Sequence, residues 1–546
     1  AKLYQNYVIE KPKLIFTLLI FLLVSFGFFA KDFKLDASSD TLLIDNDPDL
    51  EYLRKVSDRY GAKEFLILTY TPNESLVSDN SINNLLSLKY KIQSLEWVHN
   101  VVTILDLPLL NSSDQTLSER LKNFSTLKSE GIDRQKGFNE ILNSPVFKNF
   151  IVSEDGSVTS IIVNIKKKNF INDKNISKKE LDNIKQKQKI QNHKNILEIR
   201  NLIEEYKNTN EKPQIYLGGV PMIADDMITF IKKDIAVFGI GVFLFIILTL
   251  WFVFRSLIWI IIPMLSCISS VIIMTGILAL VGWKVTVISS NFIALMLILT
   301  MAMNIHMSTR FLQLSKDKPN LSKKEIIIKT TSKMFWPILY TVLTTICAFL
   351  SLIFSGIKPI IDFGWMMTLG LTVSIFVTFS LLPSLLSIFA SNEDISIKDT
   401  EKSKITSSLG NFSQGNTKLI LSSAFIVLIL SIVGISKLEV ENSFINYFDE
   451  ETEIYKGMKK IDDDLGGTTP LDIIIKFPTK KEVKTETDDE FSEWDDSQED
   501  DKSTYWFTRN KIDKITKVHD YLDSLPAVGK VISFASIVRV AEDLYD

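Results

Sequence analysis

The sequence predicts an internally duplicated membrane α-helical bundle with α/β domains on its outer side. Three observations point there: seven stretches are long and apolar enough to span a bilayer, basic residues gather on one side of them, and the blocks after the first and seventh stretches match in order. The chain has 546 residues, 46% hydrophobic and 23% charged, with 35 Phe and a mean hydropathy of +0.16. A disordered chain or a coiled coil does not combine these values, so oily and charged residues must sit in separate blocks.

A spanning helix needs about 20 mostly apolar residues. The stretches 14–30, 235–254, 257–280, 285–307, 335–354, 363–389 and 419–435 qualify. Lys11 and Lys13 precede the first, as in a signal peptide, but no small-x-small cleavage site precedes Lys31-Asp32, so a retained helix is expected. The loop after the fourth stretch carries Arg310, Lys316, Lys318, Lys323, Lys324, Lys329 and Lys333 against only Asp317 and Glu325, which places it in the cytoplasm. The N-terminus and the linker 391–418 then lie on the same side, and 31–234 and 436–546 lie outside.

The first outer segment opens with Phe33-Lys-Leu-Asp-Ala-Ser-Ser-Asp, then Asp47-Pro-Asp, a helix to Tyr60-Gly61 and a strand at 64–70. The last opens with Ser436-Lys-Leu-Glu-Val-Glu-Asn-Ser, then Asp449-Glu-Glu, a helix to Leu465-Gly466 and a strand at 471–477. A third pair of blocks starts at Ser94-Leu-Glu-Trp-Val and Ser524-Leu-Pro-Ala-Val. An insert at about 479–503 separates the later blocks in the second copy. It is dense in Asp and Glu with little aliphatic content and reads as a flexible acidic loop. A calcium-binding loop would need Gly and regular acid spacing, which the insert lacks. The second copy ends within its outer part, so the duplication reads the chain as a fragment of a twelve-helix protein.

Within 31–234, β-branched runs predict strands at 65–71, 98–105, 157–165 and 214–217, with helices at 82–95 and 185–206. These form two βαβ-like units joined by a mostly helical connector at about 107–150.

The layout resembles the resistance–nodulation–division (RND) superfamily, in its branch of MMPL-like and hopanoid- or lipid-transporting exporters. The residues that carry the likeness are Leu35-Asp-Ala-Ser-Ser-Asp, Asp47-Pro-Asp-Leu, Leu217-Gly-Gly-Val-Pro, Tyr340-Thr-Val-Leu-Thr-Thr-Ile-Cys-Ala-Phe, Asp362-Phe-Gly-Trp and Leu381-Leu-Pro-Ser-Leu. Helices two to six (235–390) are also similar to the sterol-sensing module of patched-like relatives. The resemblance implies periplasmic porter domains, an inner-membrane location and proton-driven export of amphiphiles. It also implies lipid-like cargo, with a homo-oligomer or a periplasmic protein as a further partner.

Polar residues inside spanning helices are costly and mark functional candidates. In the fourth helix Thr300, Asn304 and Ser308 fall four apart on one face, with His306 roughly opposite and Arg310 a turn beyond. The family's helix at this place carries an acid, then a His and a basic residue. His306 and Arg310 match, whereas Ala302, Met303 and Asn304 stand where the acid belongs. Either His306 carries protons, or the carrier lies in the missing half, or the protein is not proton-driven. Interhelical hydrogen bonding explains Asn304 and His306 equally well. In the fifth helix Thr341, Thr344 and Thr345 are expected to form a polar patch facing the fourth, as close packing or as a hydrated path. Cys267 and Cys347 read as core residues, and Asp234 and Asp362 as markers of the membrane interface.

Other classes fit poorly. The net charge of −4 gives no basic field for nucleic acid. Two cysteines inside apolar runs support neither a disulfide framework nor a zinc site. No phosphate-cradling Gly-x-x-x-x-Gly-Lys-Ser/Thr occurs, and nothing suggests hydrolysis, so neither enzyme chemistry nor a cofactor nor a metal is expected. The competing readings are a non-transporting lipid- or sterol-sensing scaffold and an auxiliary subunit of protein export.

Overall fold

The computed structural model describes residues 4–35, 48–60, 64–112, 124–166, 178–208, 213–286, 288–390, 404–439, 444–468, 471–477 and 508–545. The acidic insert and residues 391–403 of the linker after the sixth span lie outside the described residues. In chain order the helices and strands are α1 (Pro12–Phe29), α2 (Pro48–Tyr60), β1 (Phe65–Thr71), α3 (Asp79–Gln93), β2 (Val98–Val102), α4 (Arg134–Asn143), β3 (Thr159–Ile165), α5 (Lys178–Lys207) and β4 (Gln214–Gly218). They continue with α6 (Val220–Phe254), α7 (Ile258–Val281), α8 (Phe292–Asp317), α9 (Lys323–Ser351), α10 (Lys358–Phe389), α11 (Lys404–Gly415), α12 (Thr417–Ile435), α13 (Glu453–Asp464), α14 (Arg509–Asp523) and α15 (Phe534–Tyr545). The chain forms two compact units, Ala1–Tyr60 with Asp226–Glu441 and Gly61–Asp225 with Asn442–Asp546.

The second unit is built on a four-stranded antiparallel sheet in the order β2-β3-β1-β4. Each β-α-β crossover, β1-α3-β2 and β3-α5-β4, skips one strand, so the two predicted units interleave in the split pattern of ferredoxin-like sheets. Central strands β1 and β3 are buried along most of their length, which is why their β-branched runs barely alternate. Ile82, Leu85, Leu88 and Ile92 of α3 and Ile196, Ile199 and Ile203 of α5 recur every three or four residues and are buried. Ser78 caps α3 by accepting from the Ser81 amide.

β2 ends at Val102, three residues before the predicted strand end, because Thr103 starts a capped 3-10 turn over Ile104–Asp106. The Asp106 carboxylate closes that cap. It accepts from the Thr103 amide and hydroxyl, both at 3.0 Å, from Lys89 at 2.5 Å and from Lys128 at 2.8 Å. Burial works to raise its pKa, but the hydrogen bonds from Lys128, Lys89 and Thr103 outweigh it and hold the carboxyl below its usual range. A lowered folded-state pKa stabilises above the unfolded value, and that stability is lost as pH falls through the folded value. Asp106→Asn is therefore expected to cost about 1–2 kcal/mol at pH 7. Thermal melts of wild type and variant should converge in acid, and an equal gap at every pH would contradict the assignment.

Two expectations need correction. The connector is less helical than expected: among its described residues only α4 is an α-helix, and the rest is turns and an isolated bridge between Leu109 and Ser125. Residues 471–477 are extended but form no strand, since a β-branched run becomes one only beside a partner and no described strand lies there. Residues 528–532, which match β2, are likewise not a strand. The turn that opens this block is nevertheless the same in both matched segments. α3 and α14 are each 15 residues long and end at Ser94 and Ser524, whose hydroxyls donate to Lys91 O and Tyr521 O at 2.7 and 2.6 Å.

Helix α13 lies on β4 and β1, with Ile454, Met458 and Ile461 buried. α14 and α15 are clasped by His519. It sits between Ser533 (Nδ1 to Oγ, 2.9 Å) and Arg539 (Nη1 to Nε2, 3.4 Å), and burial lowers its pKa, with Arg539 adding to the effect.

In the first unit all seven predicted spans are helices long and apolar enough to cross a membrane. α7, α8, α9 and α10 pack on one another and on α1 around Trp259, Met307, Phe311, Leu382 and Leu385. Pro383 inside α10 has no N–H for the Phe379 carbonyl. The Tyr4 hydroxyl donates to that carbonyl at 2.5 Å and replaces the missing bond. Lys323 donates to Ser387 O and Ala390 O at 2.7 and 2.5 Å, a cation at the negative end of the α10 dipole. No residue of α12 is buried: its Leu, Ile, Val and Phe side chains are exposed all round, as suits a helix bathed in lipid.

Candidate functional site in the bundle core

α8 brings three of the predicted residues together. Thr300, Asn304 and Ser308 are fully buried, one per turn, on the face that α8 presents to α7 and α10. Thr300 Oγ1 is 2.8 Å from Ser374 Oγ of α10. Asn304 Nδ2 donates to Pro263 O at 3.2 Å and to Cys267 Sγ at 3.3 Å, and Asn304 Oδ1 accepts from Ser266 Oγ at 3.4 Å. Cys267 is buried, as expected. Asn304 thus ties α8 to α7 while Thr300 ties it to α10, both within apolar packing by Met296, Met303 and Met307. Two hydroxyls in this region have no partner: Ser308 Oγ and Thr378 Oγ1 are buried and make no hydrogen bond. Such atoms are uncommon in a folded interior, and each needs a reason.

Sequence reasoning missed Ser266, Ser374 and Thr378. Their signal was present, because Ser266/Ser270 and Ser374/Thr378 repeat at one-turn spacing in otherwise oily helices.

The other candidates lie elsewhere. His306 is exposed on the far side of α8 and takes no part in the buried network. Arg310 is half-buried and donates to Gln313 Oε1 at 2.6 Å. Thr341, Thr344 and Thr345 do not face α8. Thr341 and Thr344 are exposed, and all three hydroxyls donate to carbonyls of their own helix, Thr341 to Pro337 O at 2.9 Å and Thr345 to Thr341 O at 2.8 Å. The buried face of α9 runs instead through Ile327, Thr330, Thr331, Ile338 and Val342. Back-bonding to the preceding turn hides a hydroxyl from hydrocarbon, so a Thr on the outer face is tolerated. Cys347 is exposed on this outer side, not in the core. Asp362 accepts from Trp283 Nε1 at 3.3 Å near the start of α10.

A family model described as the MMPL family matches residues 109–412, more than half of the chain. The chain belongs to the MMPL family. The match takes in five of the seven spans, including every helix that lines the buried network. No curated protein matches the chain. Membership of the MMPL family supports a multi-pass membrane protein of the RND transporter type. In this MMPL protein the buried polar side chains on α7, α8, α9 and α10 are Ser, Thr and Asn, with no carboxylate among them. Of the residues standing where an acid was expected, Met303 and Asn304 point into the core and Ala302 is exposed.

Proposed function

We propose that this MMPL protein is an inner-membrane exporter of a hydrophobic or amphiphilic, lipid-like molecule, driven by an ion gradient. In this reading the sheet-bearing unit is a periplasmic porter domain, and the N-terminus and the basic loop after α8 are cytoplasmic. The observation that carries it is α6. Its 35 residues begin two positions after β4 ends and continue without a break through a membrane-spanning length. At about 1.5 Å per residue that is roughly 50 Å of rod, well beyond the ~30 Å of hydrocarbon. Rearrangement of the sheet would be felt along this rod in the membrane, as porter function requires. The turn shared by α3 and α14 supports the duplicated plan on which the reading rests.

The network of uncharged groups around Asn304 favours one alternative, a lipid-binding scaffold that does not transport. Reconstitution separates the two. Proteoliposomes holding a fluorescent phospholipid analogue are expected to release it to an external acceptor only when a sodium or proton gradient is imposed. Binding of the analogue with no gradient-dependent release would establish the scaffold and remove the exporter.

A further inference from the structure

Helices α14 and α15 pack on each other and are joined by residues 524–533. The connection is held at the backbone: a Cβ at Gly529 would stand 2.3 Å from Gly466 O, in the turn after α13. α15 itself is held far less by apolar packing. Among its described residues only Ala535 and Ser536 are buried, and Ile537 is exposed. One buried methyl group gives little drive for docking a helix.

What fastens α15 is polar. His519 of α14 is almost fully enclosed, and both of its ring nitrogens are engaged. Arg539 of α15 approaches Nε2 at 3.4 Å; a guanidinium can only donate, so Nε2 carries a lone pair. Nδ1 therefore holds the one ring proton and donates it to Ser533 Oγ at 2.9 Å. That oxygen also accepts from the Ala535 amide at 3.0 Å, in the first turn of α15. The clasp thus requires a neutral imidazole. A second proton would sit on Nε2 and replace a hydrogen bond by two like charges in an enclosed place. The other charges around the ring are Asp520 and Asp523 of α14, which favour the imidazolium, and Lys530 of the connection, which opposes it. Asp520 is exposed and is itself bonded to Arg539. Burial and then Arg539 outweigh the two carboxylates and hold the pKa of His519 below its usual value.

We propose that His519 is an acid-operated latch: in its neutral form it fastens α15 to α14, and a proton taken up at Nε2 lets α15 come away while α14 stays in place. In the open state the ring is in water and titrates near its ordinary value of about 6.5. The open state binds the proton more tightly than the latched one. The latch is therefore at full strength above that value and weakens as pH falls below it, until the latched ring would titrate too. If this unit is periplasmic, as proposed above, the proton comes from the outer medium; the latch itself does not depend on that reading.

The test compares the full chain in detergent at about pH 7.5 and about pH 5, on either side of the histidine range. Hydrogen exchange is read as protection, each amide's rate being divided by its intrinsic rate at that pH. Protection across 534–543 is expected to fall roughly tenfold or more in acid, whereas that of α3 stays the same. His519→Gln keeps a neutral donor and acceptor but takes up no proton, so its α15 should be equally protected at both pH values. His519→Ala lacks the clasp, and its α15 should exchange fast at both. Equal protection of α15 at both pH values in wild type overturns the latch, as does a pH effect of undiminished size in His519→Gln. Parallel loosening of α3 and α15 in acid would mean that the whole unit unfolds, and overturns it as well.

Discussion

Replacing Gly276 by alanine is expected to lower the thermal midpoint, although helix propensity alone would raise it. Inside a helix, alanine is favoured over glycine by roughly 0.5–1 kcal/mol. At Gly276 a Cβ would stand 2.3 Å from Phe26 O and 2.6 Å from Phe26 Cβ, far inside contact distance. The obstacle is backbone, so no side chain can turn aside: α1 and α7 must separate where they cross. Forcing extra volume into such a contact costs about 1–3 kcal/mol, and leucine at this site should exceed that range and leave little folded protein. Gly239→Ala and Gly241→Ala are the controls, because nothing lies within 4 Å of a Cβ at either position of α6. Both should be neutral or slightly stabilising in the same thermal melts. A midpoint raised by Gly276→Ala would mean that α1 does not cross α7 there. Close approach through a small residue is how helices associate in lipid, where burial alone gives no drive.

That crossing was not legible in the sequence, although the helices that make it were. All seven spans follow from run length, because hydrocarbon thickness fixes how many apolar residues a span needs. The strands β1, β2, β3 and β4 follow from their β-branched runs, to within a few residues. The phase of a spanning helix is another matter. α9 is oily on every side, so composition does not say which face turns inward, and Thr341, Thr344, Thr345 and Cys347 were assigned to the wrong one. α8 was easier because Thr300, Asn304 and Ser308 are polar at one-turn spacing, and polar groups in a membrane turn toward partners. Their partners on α7 and α10 come from distant sequence, and only the fold shows that Thr378 and Ser308 lack one. The segment 471–477 failed for a related reason: strand formation depends on a neighbour, and a run of Ile and Leu does not encode who that neighbour is.

Helix α13 is expected to loosen on the sheet when Gly457 is changed to alanine. The two elements lie far apart in the chain, α13 near its C-terminal end and β4 before the second span. Gly457 lies one turn after Glu453, on the face that carries the buried Ile454, Met458 and Ile461. A Cβ there would stand 2.6 Å from Leu217 O and 3.5 Å from Tyr216 Cβ, both on β4. From the opposite side, Gly218 leaves space for Ile461, whose Cδ1 would be 2.5 Å from a Cβ at 218. Two glycines, one on each element, thus permit backbone-level approach, and Arg200 of α5 adds an ion pair to Glu453 at 3.3 Å. Alanine should again gain roughly 0.5–1 kcal/mol in propensity and lose about 1–3 kcal/mol by overpacking. Three apolar side chains lose their burial if the helix lifts, at about 1.5–3 kcal/mol each for full exposure. That exposure exceeds the overpacking, so the net expectation is a strained α13 that stays docked but opens more often, with the sheet itself intact, because the pairing of β4 with β1 over Ile67–Thr71 does not involve the helix. Hydrogen exchange should therefore quicken across Glu453–Asp464, slightly at β4, and not at β3. Unchanged protection of α13, or a higher melting midpoint in Gly457→Ala, would show that the helix does not rest on this strand.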